Sequence, residues 1–485
     1  MLFNSLEFAL FLPAVFLIYW VAAGKSLRLQ NIVLLLASYL FYSWWDYRFL
    51  FLLVFSTLLD YFSGIKIHEA TSARHKKTWL LLNVIINVGF LGFFKYYNFF
   101  IDSFVNLLTD FGLSAHVSTL NIILPIGISF YTFHGLSYIF DIYNKKIEPT
   151  RNFTDYALFV GFFPLLVAGP IERATHLLPQ IKSPRQFRQS DAADGLKQIL
   201  WGLFKKVVIA DNCATYANDI FNHAGDYHGS TLVIGALFFA FQIYGDFSGY
   251  SDIALGTARL LGFDLIRNFA FPYFSRDIAE FWRRWHVSLS SWFRDYLYIP
   301  LGGSKRGTWI TIRNILITFV VSGFWHGANW TFVVWGALNG LSFLPLQLLN
   351  KKRDHLDVVA QGRLFPSVKE LAGMIITFSW VVFGWIFFRA ESITHALNYI
   401  SGIFSDTLFS KPDKIDDVGY FMEMNALLIF FFMTIEWLGR ERNYAIERLG
   451  ARWPTWLRWS FYAFILFLIG MYMKTKGTPF IYFQF

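Results

Sequence analysis

Cysteine is nearly missing: Cys213 stands alone among 485 residues, which excludes an intramolecular disulfide and any multi-cysteine metal site. Charge is scarce too, at 15% of residues, where an average soluble domain carries roughly 25%. No HExxH, paired-cysteine, Walker or Ser-His-Asp pattern occurs, so no bound metal is expected and the common hydrolase signatures are absent. The ten-residue alternation of barrel strands is not there either, which leaves helices as the means of crossing a membrane. The first apolar run has no basic n-region and is long enough to remain as a span, so no cleavable signal peptide is expected. Without a Gly/Ser linker, a low-complexity tract or an internal repeat, one integral domain over 1–485 is the simplest organisation.

What fills the chain is apolar. Hydrophobic residues make up 55% and aromatic residues 20%, with 57 Phe. Runs of about 17–25 apolar residues recur, the length that crosses roughly 30 Å of hydrocarbon as a helix. The fold class is therefore all-α and polytopic, with the lipid bilayer as the first partner. The net charge of +9 belongs to cytoplasmic loops rather than to a nucleic-acid surface.

Spans are expected near 3–23, 29–45, 49–65, 79–100, 120–143, 196–211, 232–250, 309–325, 331–348, 371–388, 426–438 and 459–473, about twelve in all. Basic loops at Lys66 to Lys77 and at Lys145 to Arg151 read as inside. Loops with Asp102 and Asp110, or with Asp211, Asp219 and Asp226, read as outside. Residues 391–424, rich in aspartate, also read as outside, and the stretch with Arg440, Arg442, Arg448 and Arg452 as inside. The segment 157–170 is short and broken by Pro164, Gly169 and Pro170, with basic residues on both flanks. It reads as re-entrant, and such backbone survives at membrane depth only where protein buries it or water reaches it.

The stretch 276–335 carries two histidines, each directly after a tryptophan: Trp285-His286 and Trp325-His326. A titratable side chain at membrane depth is costly and marks a functional site by default. His326 closes an apolar run and is flanked by Gly323 and Gly327, which allow close approach. As a histidine it can take and return a proton near neutral pH. The competing reading is an interfacial histidine satisfied by a main-chain carbonyl. His286 follows Phe281-Trp282-Arg283-Arg284-Trp285, and the spacing of Phe281, Trp285, Leu289 and Trp292 predicts one helix with Arg283, Arg284 and Arg294 around it. Those arginines suit a phosphate-bearing donor such as a coenzyme A thioester; equally, they suit snorkelling to lipid headgroups. Pro300-Leu301-Gly302-Gly303-Ser304-Lys305 reads as a turn before it reads as a phosphate loop. Asp246 and Asp252 are expected to pair with nearby arginines. Glu172 and Arg173 are further intramembrane polar groups, and His134 reads as a packed helix residue.

The segments FWRRWHVSLSSWFRDYLYIPLGGS, SGFWHGANWTFVVWGALNG, FFPLLVAGPIER and YGDFSGYSDIALG resemble the membrane-bound O-acyltransferase family, in its bacterial alginate O-acetyltransferase-like branch, over nearly the whole chain. The resemblance implies re-entrant and interfacial helices beside the spans, around a central histidine site with funnels from both sides. It places the family's catalytic histidine on His326 and its second polar position on His286. It further implies transfer of an acetyl group from acetyl-CoA, as donor substrate and with no bound cofactor. The acceptor would be an extracytoplasmic polysaccharide, reached directly or through an SGNH-hydrolase-like acetyltransferase partner, at the bacterial inner membrane. The ending Phe480-Ile481-Tyr482-Phe483-Gln484-Phe485 is similar to tails of bacterial relatives, and it suggests Tyr482 as a transient acyl carrier set against His326, or else as an aromatic anchor. Acylation of peptidoglycan or another cell-wall glycan is the first alternative; a proton-coupled transporter or glycan-export component is the alternative of another class.

Overall fold

A computed structural model describes residues 1–113, 119–120, 122–167, 169–349, 354–413, 422–474 and 480–481. Among them every regular element is a helix. Eight of these helices are long and apolar enough to cross a membrane: Arg48–Glu69, Ala73–Asp110, Gly229–Leu260, Thr308–His326, Trp330–Leu348, Val368–Arg389, Met422–Gly439 and Thr455–Tyr472. Leu6–Ala22 and Leu27–Ser43 are shorter apolar helices. The chain is an all-α, multi-pass membrane protein. Two of the expected spans differ from this set. In place of 120–143 stands a helix of 16 residues, Ile128–Tyr143, which starts only after Gly127 has turned left-handed. In place of 196–211 stands a run with two lysines at its centre, described below.

The chain forms two compact units. The first comprises Met1–Arg188 with Leu261–Leu265. Four of its helices start where serine or asparagine oxygens accept otherwise orphaned N–H groups: Ser5 from Phe8, Ser26 from Leu29, Ser72 from His75 and Asn152 from Thr154. Phe11, Phe41 and Phe163 form an aromatic cluster with ring centroids 5.4–5.9 Å apart. The broken segment consists of the helix Phe153–Gly161 followed by the single turn Phe163–Leu166, and residues 155–167 are all buried. Protein thus encloses the irregular backbone, as an apolar surrounding requires. His134 is fully buried in its helix and its Nε2 accepts the main-chain N–H of Glu172 at 3.0 Å. The Glu172 carboxylate in turn meets His176 Nδ1 at 2.8 Å.

The second unit comprises Gln189–Leu260 and Ile266–Phe485. Gln189–Leu203 runs through a π-helical stretch, Phe204–Ala210, into Asp211–Asn222. It packs along Gly229–Leu260 so closely that a Cβ on Gly202 would lie 2.6 Å from the carbonyl oxygen of Gly249. That second helix is the enclosed one: 78% of its apolar window is buried, against 39% or less in the other seven. The π stretch carries Lys205 and Lys206, both buried. Lys205 pairs with Asp252 at 2.6 Å, and Lys206 with Asp246 at 2.7 Å and Asp211 at 2.9 Å. The acids therefore pair with lysines, not with the arginines that the sequence suggested. A fixed charge buried among apolar helices needs its counter-charge within the same layer, and the lysines of the adjoining helix provide it.

Candidate functional site

His286 does not lie inside a helix. The expected single helix is split into Ile278–Arg284 and Val287–Phe293, with His286 between them at φ 44°, ψ 55°. A left-handed histidine persists only where its surroundings hold it there. Here the passing segment 268–270 does so: Val287 N–H donates to the Asn268 carbonyl at 2.9 Å, and Ala270 N–H to the Arg284 carbonyl at 2.9 Å. Ser288 Oγ adds a bond to the Asn268 side chain at 2.6 Å. The main chain that would have continued the helix is thus bonded elsewhere. Trp285, just before the break, is packed by Phe269 at 5.0 Å, Phe281 at 5.6 Å and Trp385 at 5.0 Å.

The break turns the imidazole into an aromatic recess. Its centroid lies 4.6 Å from Phe247, edge to face, and 6.3 Å from Trp325. The residue is 1% exposed, and neither ring nitrogen has a hydrogen-bond partner among the described residues. Buried polar groups are nearly always paired, so an imidazole with both nitrogens unpaired among the described residues is poised to take a further partner.

His326 is the last residue of Thr308–His326 and is buried. Trp325 lies 4.9 Å from its ring, Trp335 5.2 Å and Phe388 5.4 Å. A side chain at Gly327 would collide with the Phe332 ring. The chain turns there, and Asn329 caps the next helix by accepting Thr331 N–H at 3.0 Å. The two histidines therefore both meet one indole, Trp325, within a wall continued by Trp335 and Trp385, whose rings stack at 5.6 Å. The structure brings the pair together from segments forty positions apart. A neutral imidazole in such a recess can accept a proton from a hydroxyl, and a second beside it can orient a reacting carbonyl.

The three arginines are not gathered. Arg284 is committed to the fold: its guanidinium donates to Glu280 at 2.7 Å and to the carbonyls of Ala270 and Asp357. Arg283 donates to the carbonyl of His355 at 2.6 Å. Arg294 pairs with its neighbour Asp295 at 2.8 Å and is largely exposed. The turn at Gly302 and Gly303, with φ 111° and 55°, is held by Asn314, whose amide donates to the carbonyl of Gly303 at 3.0 Å. That is an ordinary turn tied to the following helix.

Tyr482 lies outside the described residues. The two residues before it are buried in the second unit: Ile481 N–H donates to Asp246 Oδ2 at 2.7 Å, and the Phe480 ring sits 4.5 Å from Tyr250 and 5.8 Å from Phe247. Phe247 is the ring against His286, so this end of the chain approaches the His286 side of the site. Sequence reasoning did not find the roles of Asn268, Lys205 and Lys206. Two lysines in an otherwise apolar run, facing two aspartates in another, were the available signal for the last two.

Residues 144–351 match the family model of the membrane-bound O-acyltransferases; both histidines lie within that range. A probable alginate O-acetylase of Pseudomonas putida is 39% identical over 100% of both chains. A peptidoglycan O-acetyltransferase of Helicobacter pylori is 38% identical over 83% of this chain and 80% of its own. A teichoic acid D-alanyltransferase of Bacillus subtilis is 26% identical over 57% of this chain and 71% of its own.

Proposed function

Because the chain belongs to the membrane-bound O-acyltransferase family, and so is an acyltransferase, we propose that it takes acetyl groups from cytoplasmic acetyl-CoA and passes them across the bacterial inner membrane to an extracytoplasmic, alginate-like polysaccharide. The observation that carries this reading is the pair of buried imidazoles against Trp325, one of them with both nitrogens unpaired among the described residues. Similarity along the full length to a protein named a probable alginate O-acetylase supports the acceptor class. Membership of an enzyme family displaces the transporter alternative.

In this reading His326 takes the proton from the acceptor hydroxyl as its oxygen attacks the thioester carbonyl. The tetrahedral intermediate then collapses, the carbon–sulfur bond breaks, and the thiolate leaves with that proton. His286 donates to the developing oxyanion. Arg283 and Arg294, whose bonds leave them partly open to solvent, meet the donor's phosphates; Arg284 fixes the end of the helix that carries Arg283. Tyr482 is proposed as the first acceptor, its hydroxyl made nucleophilic by a neighbouring imidazole. An SGNH-hydrolase-like partner outside would finish the transfer.

The similarity to a peptidoglycan O-acetyltransferase favours a second acceptor, the glycan strands of the cell wall. Acetyl transfer from radiolabelled acetyl-CoA in membrane vesicles tests the whole reading. His326→Ala and His286→Ala, present at normal levels, are each expected to lose about 10²–10⁴-fold in rate. Full activity in either variant rejects the assignment of that residue. Tyr482→Phe separates the relay from direct transfer, because only the relay needs the phenolic oxygen.

A further inference from the structure

Asp246 plays no part in the chemistry above, yet it holds a built contact beside it. The residue is 3% exposed, in the most enclosed helix of the second unit. One carboxylate oxygen lies 2.7 Å from Lys206 Nζ, which is itself fixed by Asp211 at 2.9 Å. The other accepts the main-chain N–H of Ile481 at 2.7 Å. One turn further along the same helix, Tyr250 lies 4.5 Å from the Phe480 ring, and Phe247 lies 5.8 Å from it. Phe480 and Ile481 are 0% and 1% exposed. Phe247 in turn meets His286 edge to face at 4.6 Å. Lys474, a few residues earlier, ties the same end of the chain to Thr215 Oγ1 at 2.9 Å.

Lys206 is shared between two carboxylates, so Asp246 keeps negative charge that a further hydrogen-bond donor can offset. That its second oxygen takes a main-chain amide makes it a receptor for a chain segment, and the two rings beside it form a seat for that segment's aromatic side chain. A hydrogen bond to a charged group in a dry interior is among the stronger kinds. We propose that Asp246, aimed by Lys206, is a positioning residue: it clamps the main chain at Ile481, seats Phe480 behind Phe247, and so sets the wall against which the His286 ring stands. The clamp rests on the reading of His286 as part of the transfer site only for its effect on rate.

The experiment uses the full chain in detergent micelles. Ile481→Pro deletes the amide donor and leaves the Lys206–Asp246 pair intact, Ile481→Ala keeps the donor, and Asp246→Ala removes the acceptor. Trimming by carboxypeptidase Y is followed by intact mass, and modification of His286 by diethyl pyrocarbonate is followed by peptide mass spectrometry. Ile481→Pro and Asp246→Ala are each expected to speed trimming and His286 labelling by at least about tenfold, the worth of one hydrogen bond to a charged group. Ile481→Ala stays close to the unaltered chain. Acetyl transfer in Ile481→Pro falls in kcat with KM for acetyl-CoA unchanged. Should Ile481→Pro trim and label no faster than Ile481→Ala, the clamp is overturned. An Ile481→Pro protein that labels fast but transfers at full rate overturns the positioning role. An unaltered chain without transferase activity rejects the proposed function instead, and the two labelling rates still decide the clamp.

Discussion

At the scale of single residues, similar side chains in one segment have unlike fates. Arg283, Arg284 and Arg294 share a basic, aromatic stretch, and periodicity alone treats them alike. In the fold, Arg284 bonds Glu280 and two carbonyls, while Arg294, itself exposed, pairs with its neighbour Asp295. Arg284→Ala is therefore expected to leave Glu280 short of one partner and to lower the melting temperature in detergent. Arg294→Ala should leave melting unchanged and raise KM for acetyl-CoA; equal melting of the two variants would contradict this division. Nearby, the guanidinium of Arg276, 2.9 Å away, holds the Asp357 carboxyl below its usual range. A carboxyl whose folded pKa is depressed adds stability at neutral pH and loses it as pH falls through the acid range. Comparing urea or thermal unfolding of the parent and Asp357→Asn between pH 7 and roughly pH 3 should show a difference that shrinks as the pH drops. A constant difference would mean that the bond contributes by shape rather than charge.

At the scale of elements, most of the expected spans, though not 120–143 or 196–211, were legible because their signal is local: length and apolar composition suffice, and no partner need be known. The break at His286 was not. Phe281, Trp285, Leu289 and Trp292 keep helical spacing, and it is the distant segment 268–270 that diverts the main chain, through the Asn268 carbonyl at Val287 and the Ala270 N–H at Arg284. Periodicity describes which faces are apolar and is silent about a hydrogen bond borrowed from another segment. The same limit hid the Lys205 and Lys206 pairs, because counter-charges on a second helix are found by packing, not by order along the chain. That packing depends on Gly202 lying against the Gly249 backbone. Gly202→Val must push the two helices apart, at a cost of about 1–3 kcal/mol, and would carry the lysines away from their aspartates. A lower melting temperature together with reduced transfer is expected, and Gly249→Val should match it; a neutral outcome for both would show that the contact is not tight in solution.

For the whole molecule, the proposed acyl transfer across a bilayer needs a donor side and an acceptor side. The charge pattern supplies an assignment within the second unit. The loop with Asp406 and Asp413 precedes Met422–Gly439, and the arginines at 440, 442 and 448 follow it. The excess of arginine puts the latter loop in the cytoplasm and the former outside. The scarcity of cysteine makes this directly measurable: Cys213 is buried and is the sole thiol. Asp406 and Arg448 are both exposed, so either can be replaced by cysteine without disturbing a packed contact. A membrane-impermeant maleimide added to spheroplasts, whose outer leaflet is accessible, is expected to label Asp406→Cys at once and Arg448→Cys only after permeabilisation. The reverse order would place the arginine-rich loops outside, and the coenzyme A thioester could then not approach the site from the side assigned to it.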